Sequence, residues 1–311
     1  MAKILITESV HPIGPELLTA AGHTVVYANR NMEVIRREIV DADAVLVRII
    51  ELPGELLSTA KHLKIVSKHG VGYDNIDLDY CKNHGVAVTI TPNANSLSVA
   101  EHAFTLMLTL AKNIIPVSNE YRTVGFAAKN HAPGIEMTGK TLGLIGMGRI
   151  GKHILHMCRD GLDMHVIVYD PYISEVPEGV ERVDDLSELL RRADIVTLHC
   201  LLTDETRKLI DRERLALMKP TALLINCARG PIVDEAALIE ALENGRLAGA
   251  GLDVTDPEPV APDSPLFKLP NVIVTPHYAP TTVESATRVS KIAAENINAV
   301  LAGQEPVGRI V

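Results

Sequence analysis

Residues 141–151 read Thr-Leu-Gly-Leu-Ile-Gly-Met-Gly-Arg-Ile-Gly, and this stretch decides the fold. The apolar run 141–145 reads as a buried strand. Gly146, Gly148 and Gly151 then stand in the spacing G-x-G-x-x-G, where a helical pattern opens. Each glycine has a mechanical task. The first makes a tight turn, the second lets a pyrophosphate approach the backbone, and the third packs helix on strand. Free N–H groups and partial positive charge at the helix N-terminus face the phosphates. The spacing alone is a weak signal; an acid about 20 residues on, at the end of the next strand, is the second requirement. Asp170 stands there, after Val-Ile-Val-Tyr and 19 residues past Gly151. A carboxylate at that point accepts hydrogen bonds from both adenosine ribose hydroxyls and repels a 2′-phosphate. No Arg or Lys lies within 171–178 to receive such a phosphate, so NAD is favoured over NADP. The competing reading is a glycine-rich turn in a purely structural unit, with Asp170 a turn residue before Pro171.

Outward from this motif, strands and helices alternate. Strands are expected at 141–145, 165–169, 195–200, 222–226, 249–253 and 272–275, with helices at 150–159, 186–191, 212–217, 235–244 and 283–302. The first 90 residues carry a second series, with strands at 3–7, 24–28, 44–48, 64–68 and 87–90 and helices at 15–21, 32–40, 54–62 and 77–83. Strand and helix in turn, with short connections, imply parallel sheets flanked by helices. The expected class is therefore α/β, with two doubly wound parallel-sheet domains. Residues 98–112 form a helix more apolar than one surface helix needs, so it is expected to be buried against another domain or subunit. Residues 113–139, with Gly125, Pro133 and Gly134, read as loop-rich. The last helix, from Val283, is free to return to the first domain and close it.

A chain of 311 residues suggests about two domains. Its hydrophobic content of 47% and charged content of 22% are those of an ordinary globular protein. A net charge of −9 and the lack of any basic run argue against nucleic acid. Cys81, Cys158, Cys200 and Cys227 are scattered, with no C-x-x-C pair, and read as reduced thiols. The N-terminus reads as a strand rather than a signal peptide, and apolar stretches such as 103–111 are too short to span a bilayer. A cytoplasmic protein without a membrane partner is the default expectation. His153 and His156 share a helix face without a third ligand, so no metal is expected.

Three polar segments follow expected strands of the second sheet: Asn226-Cys227-Ala228-Arg229-Gly230, Asp253 through Glu258-Pro259, and Pro276-His277. Ligands of open α/β sheets gather at that edge. Oxidation of a 2-hydroxy acid needs a cation to orient the carboxylate and polarise the 2-oxo group. It also needs a base for the hydroxyl proton and an acid to hold that base. Arg229 offers a permanent planar charge, His277 a proton carrier near neutrality, and Glu258 its partner. On residue type alone, a surface ion pair and a satisfied histidine remain the competing reading. His69 and His199 also sit at strand ends.

The chain closely resembles the D-isomer-specific 2-hydroxyacid dehydrogenase family, which includes 3-phosphoglycerate, glyoxylate/hydroxypyruvate and D-lactate dehydrogenases. The resemblance rests on GKTLGLIGMGRIG, MKPTALLINCARGPIVDEAALIEAL, GLDVTDPEP, TPH, KHGVGYDNIDL and NANSLSVAEHAFTLML, in that family's order, through nearly all 311 residues. It implies a flavodoxin-like substrate domain built from 1–93 with 284–311 and a Rossmann NAD domain over 94–283. Arg229 would bind the carboxylate and 2-oxo group, His277 would exchange the proton with the C2 oxygen, and Glu258 would pair with His277. Backbone N–H groups of Val71 and Gly72 would hold the carboxylate. Gly146, Gly148, Arg149, Ile150 and Gly151 would meet the pyrophosphate, and Asp170 the ribose. Asp253 would hold the nicotinamide amide, with His199, Cys200, Cys227, Ala228 and Ala279 lining the pocket. The partner is then a small 2-hydroxy or 2-oxo acid, and a homodimer would form through the cofactor domain. Three departures stand out: Leu201 where the family commonly has Pro, Tyr278-Ala279-Pro280 after the histidine, and Ile49 after Arg48 where the phosphoglycerate branch often has Ser. Glu258 counts against a formate enzyme of the same fold. A non-enzymatic NAD sensor is the other class, expected to carry partner-binding tails; no regulatory extension is expected beyond Val311.

Overall fold

A computed structural model describes residues 1–311, which fall into two compact units: Met1–Asn95 with Pro280–Val311, and Ser96–Ala279. The first unit begins with β1 (Lys3–Ile6), α1 (Ile13–Ala20), β2 (Thr24–Tyr27), α2 (Met32–Glu38), β3 (Ala44–Val47), α3 (Gly54–Leu57), β4 (Ile65–Lys68), α4 (Leu78–Asn83) and β5 (Ala87–Thr89). Its five strands are parallel in the order β2-β1-β3-β4-β5, the flavodoxin-like order. All four residues of β3 and of β4 are buried, as strands covered on both faces must be. The helices start where side chains supply the missing acceptors. Asn31 Oδ1 takes the N–H groups of Glu33 and Val34, and Asp77 Oδ1 takes that of Tyr80.

The second unit holds α5 (Ser96–Ala111), α6 (Ile114–Val124), β6 (Thr141–Ile145), α7 (Arg149–Leu155), β7 (His165–Tyr169), β8 (Val180–Arg182), α8 (Leu186–Arg192), β9 (Ile195–Leu198), α9 (Arg212–Leu217), β10 (Leu223–Asn226), α10 (Glu235–Glu243), β11 (Gly249–Leu252) and β12 (Val272–Val274). Seven parallel strands run in the order β12-β11-β10-β9-β6-β7-β8. Counted from β6 this is the Rossmann order, extended by β12 at one edge. The strand order reverses beside β6, which places the glycine motif at the switch point.

Three elements differ from expectation. The helix over 98–112 runs Ser96–Ala111, and its apolar side is taken up by its own unit. Gly251 lets it approach: a Cβ there would lie 3.0 Å from Leu106 Cβ and 3.3 Å from Leu110 Cδ1. Much of its apolar surface is thus packed within its own unit. The stretch expected to be loop-rich contains α6, whose Ile114, Val117, Tyr121 and Val124 recur at helical spacing although the helix buries none of its residues. The strand β8 is an edge strand with Glu181 and Arg182 exposed, too short and too polar to read as one.

The last helix, α11 (Val283–Leu301), belongs to the first unit. Its Ala293, Ala294 and Ile297 are fully buried with Ile4, Ile6, Leu18, Leu46 and Ile65. The chain end then pairs with β5: Ile310 N donates to Val88 O at 2.8 Å, and Val88 N to Val311 O at 3.2 Å. That pairing covers an otherwise open sheet edge. Close packing of α1 on α11 requires Gly14, where a Cβ would lie 2.4 Å from Ser290 Oγ and 2.7 Å from the Ser290 carbonyl oxygen. Gly14→Ala gains about 1 kcal/mol of helix propensity. The overpacking against backbone costs about 1–3 kcal/mol and outweighs it. A lower denaturant midpoint for the variant is the expected result.

Candidate active site

β6 ends at Ile145, and the chain turns at Gly146 with φ +91°. A side chain there fails twice, because that φ is left-handed and its Cβ would lie 2.8 Å from the Cys200 backbone nitrogen. At Gly151 a Cβ would meet the Gly146 carbonyl oxygen at 2.3 Å. Gly148 differs: nothing lies within 4 Å of where its Cβ would stand. Two glycines therefore build the turn, and the third leaves an open cradle beside the backbone. No side chain caps the start of α7 at Gly148, so the first-turn N–H groups keep room for an anion. The Asp170 carboxylate borders the same loop. Its Oδ2 accepts from Met147 N at 2.9 Å and its Oδ1 from Tyr172 N at 3.0 Å. This donor set, cradle and acid fit a dinucleotide. Arg149 is exposed and Ile150 half-buried at the helix start.

Beside the turn, His199 follows β9. Its Nε2 lies 2.8 Å from Thr197 Oγ1, while its buried Nδ1 has no hydrogen-bond partner. Burial pushes its pKa down to about 3, so the ring is neutral. Burial also pushes the Cys200 thiol up to about 11 and the Cys227 thiol well above its ordinary value. Both cysteines are therefore neutral thiols rather than nucleophiles.

The chemistry-bearing segments follow β10, β11 and β12, which are neighbours in register: Asn226 pairs with Leu252, and Leu252 with Val274. After β10 the Asn226 side chain ties the turn that carries Arg229. Its Nδ2 donates to Arg229 O at 2.9 Å, and its Oδ1 accepts from Ala228 N at 3.0 Å. Arg229 Nη1 donates to Ala228 O at 2.8 Å. After β12 stands His277, with φ +52° and its Nδ1 2.6 Å from Glu258 Oε1. A carboxylate can only accept, so Nδ1 carries the proton and Nε2 is left as the ring's exchangeable position. Both side chains are about one-third exposed, at 31% and 37%, so the pair is reachable from outside.

Asp253, at the end of β11, is 1% exposed. Its Oδ1 accepts from Thr275 Oγ1 at 2.6 Å and from Tyr278 N at 2.7 Å; its Oδ2 accepts from Ala279 N at 2.9 Å. His277 N donates to its backbone carbonyl at 2.8 Å. This carboxylate builds the turn that carries His277 and buries Ala279.

Val71 and Gly72 lie in the first unit, in the loop after β4, whereas Arg229, Glu258 and His277 lie in the second. Sequence reasoning missed Glu8. It is 3% exposed, and its Oε2 accepts from Arg48 N at 2.7 Å and Ile49 N at 2.9 Å. An acid directly after an apolar first strand was the available signal. On the next strand, Lys68 Nζ donates to Asn75 Oδ1 at 2.6 Å. His69, beside it, has a buried Nε2 without a hydrogen-bond partner. Burial first, then the Arg48 and Lys68 charges, push the His69 pKa down to about 3.

His69 and His199 stay neutral in the fold, while in the unfolded chain each takes a proton near pH 6.5. Stability is therefore fully present above that pH and falls as pH drops from about 6.5 toward 3. The slope is at most about 1.4 kcal/mol per pH unit for each group. Urea unfolding between pH 7.5 and 5 should show this loss, and His199→Gln should remove one group's share of it.

Comparison with known proteins bears on this arrangement. The family described as D-isomer specific 2-hydroxyacid dehydrogenase, NAD binding domain, matches residues 104–279. D-3-phosphoglycerate dehydrogenase of Methanocaldococcus jannaschii is 42% identical over 98% of this chain and 58% of its own length. Glyoxylate reductase of Thermofilum pendens is 38% identical over 98% of this chain and 93% of its own. The chain thus spans little more than half the length of the phosphoglycerate dehydrogenases it matches, and nearly all of the glyoxylate reductase. The crystal structure of D-lactate dehydrogenase from Aquifex aeolicus complexed with NAD and lactic acid is 32% identical, covers 96% of both chains and superposes with a TM-score of 0.88. No helix is long and apolar enough to cross a membrane. With the glycine turn, the acid after β7 and the strand-end Arg, Glu and His in one matched sequence, the chain belongs to the D-isomer specific 2-hydroxyacid dehydrogenase family.

Proposed function

We propose that this chain is an NAD-dependent oxidoreductase interconverting a small D-2-hydroxy acid and its 2-oxo acid. The observation that carries the reading is the 2.6 Å contact of His277 Nδ1 with Glu258, at the same sheet edge as Arg229. When bound, NADH supplies the hydride that C2 receives, and NAD takes it up in the reverse direction. Arg229 binds the carboxylate and draws electron density from the 2-oxo group with its fixed charge. His277 donates a proton from Nε2 to the C2 oxygen during reduction and takes it back during oxidation. Glu258 holds the Nδ1 proton throughout, so one ring orientation serves both directions. Backbone N–H groups of Val71 and Gly72 are assigned to the carboxylate, and Asp253 to the nicotinamide amide. Arg149 and Ile150 are assigned to the pyrophosphate, with His199, Cys200, Cys227, Ala228 and Ala279 lining the cofactor pocket.

Asp170 supports NAD over NADP, since its carboxylate repels a 2′-phosphate and 171–178 carry no cation. A small substrate is supported by the near full-length match to a protein named glyoxylate reductase, and by Ile49 after Arg48 in place of a phosphate-binding Ser. Four free cysteines fit a reducing cytoplasmic compartment. A homodimer through the cofactor-binding unit is supported by α6 and the segment after it. There Ile114, Ile115, Tyr121 and Phe126 are 55%, 44%, 59% and 73% exposed.

The test is NADH oxidation with glyoxylate, hydroxypyruvate, pyruvate, oxaloacetate, longer 2-oxo acids and 3-phosphohydroxypyruvate. Turnover of a small member is expected, and none across the panel would overturn the reading. His277→Ala should lower kcat about 100- to 10,000-fold, while Asp170→Ala should mainly raise the KM for NADH. Sedimentation should give a dimer, and Tyr121→Glu with Phe126→Glu should give a monomer.

A further inference from the structure

His102 lies on α5, far in sequence from the segments that carry the chemistry. Its side chain is 17% exposed, on a helix whose buried face is mostly apolar. Its Nε2 lies 3.0 Å from Thr275 Oγ1. The same hydroxyl is 2.6 Å from Asp253 Oδ1. Proton bookkeeping fixes the direction of both bonds. The Asp253 carboxylate can only accept, so Thr275 donates its one hydroxyl proton to it. The Thr275 oxygen must then accept from His102, which therefore carries its proton on Nε2. The direct approach of His102 Nε2 to Asp253 Oδ1, at 3.5 Å, is too long to compete. The same imidazole meets the Tyr278 ring edge-on, with centroids 6.1 Å apart and planes at 63°.

His102 thus touches the residue two before His277 and the residue directly after it. The Asp253 carboxylate, to which the chain of hydrogen bonds leads, takes the N–H groups of Tyr278 and Ala279. Between these anchors His277 holds φ +52°, a conformation that a residue with a Cβ adopts only when its surroundings impose it.

We infer that His102 is a positioning residue for His277, acting through Thr275 and Asp253 on one side of the turn and through Tyr278 on the other. The inference rests on His277 being the proton carrier. It goes further in assigning the turn's geometry to a helix that carries none of the reacting groups. A displaced imidazole loses aim at the C2 oxygen, and a misplacement of about 1 Å costs about 100-fold in rate.

The experiment compares H102F, H102Q, T275V and the H102F/T275V double variant. H102F keeps a flat ring against Tyr278 and removes the donor; H102Q keeps an N–H donor. H102F and T275V should each lower kcat about tenfold or more, and in H102F, which leaves the Thr275–Asp253 contact in place, the KM for NADH should stay within about twofold. H102Q should recover most of the H102F loss. The double variant should be no slower than T275V alone, because both changes act through one oxygen. Wild-type kcat in H102F, or losses that multiply in the double variant, would overturn the inference. A second readout needs no turnover: 15N resonances of the His277 ring in the folded protein. The wild type should show the Nδ1–H tautomer alone, and H102F and T275V a mixture. An unchanged His277 spectrum in folded H102F overturns the inference. Absence of turnover in the wild type, with the expected spectral change, sinks only the proposed activity. If H102F does not fold, T275V carries the same two readouts.

Discussion

The buried carboxylate of Asp253 sets the geometry on which the site depends. An ionised group 1% exposed costs several kcal/mol of desolvation unless every oxygen is engaged. Here one hydroxyl and two backbone N–H groups engage it, and all three come from residues that flank His277. The charge therefore cannot be satisfied unless the chain after β12 folds back in one particular turn. That turn puts His277 in the left-handed region, which costs a residue with a side chain about 1–2 kcal/mol. Local strain at the histidine is offset by hydrogen bonds to a charge, which are among the stronger polar contacts in proteins. Glu258, from the segment after the neighbouring strand β11, then meets a ring whose position is already decided.

The sheet explains why these residues meet at all. Parallel strands covered on both faces are apolar through their middles, so polar side chains collect where strands end. With β10, β11 and β12 side by side in register, three loops from distant parts of the chain emerge at one edge. Close approach is arranged by small residues. Gly230 leaves room for Thr255, whose carbonyl oxygen would stand 1.9 Å from a Cβ there, so the arginine loop rests directly on the loop after β11.

Much of this was legible in the sequence, for reasons that differ from residue to residue. Strands β6, β9 and β10 were readable because their residues are almost all apolar and buried. Gly146 and Gly151 were readable because a turn and a close approach admit no other residue. Arg229, Glu258 and His277 were readable as types standing after expected strands, while the contact between Glu258 and His277 is a fact of three dimensions. What escaped had different causes. The strand β8 is a short polar edge with no apolar alternation, while α6 carries a helical apolar period that was passed over beside Gly125, Pro133 and Gly134. His102 escaped notice because its partner Thr275 is 173 residues away. Glu8 escaped because the backbone N–H groups it receives belong to Arg48 and Ile49, just past β3 and far along the chain.

The split construction of the first unit has a consequence for how the protein is made. A ribosome delivers β1 through β5 early, but the helix that seals their sheet and the segment that pairs with β5 emerge only after the whole second unit. Until then Ile4, Ile6, Leu46 and Ile65 lack the cover that Ala293, Ala294 and Ile297 provide. The second unit is contiguous, so its elements are all synthesised while the first is still waiting. Vectorial synthesis thus favours completing the Rossmann sheet first. Once compact, that insert replaces a long flexible loop in the closure of the outer unit and lowers its entropic cost. During that interval the half-built sheet is the part of the nascent chain most exposed to chaperones and to aggregation.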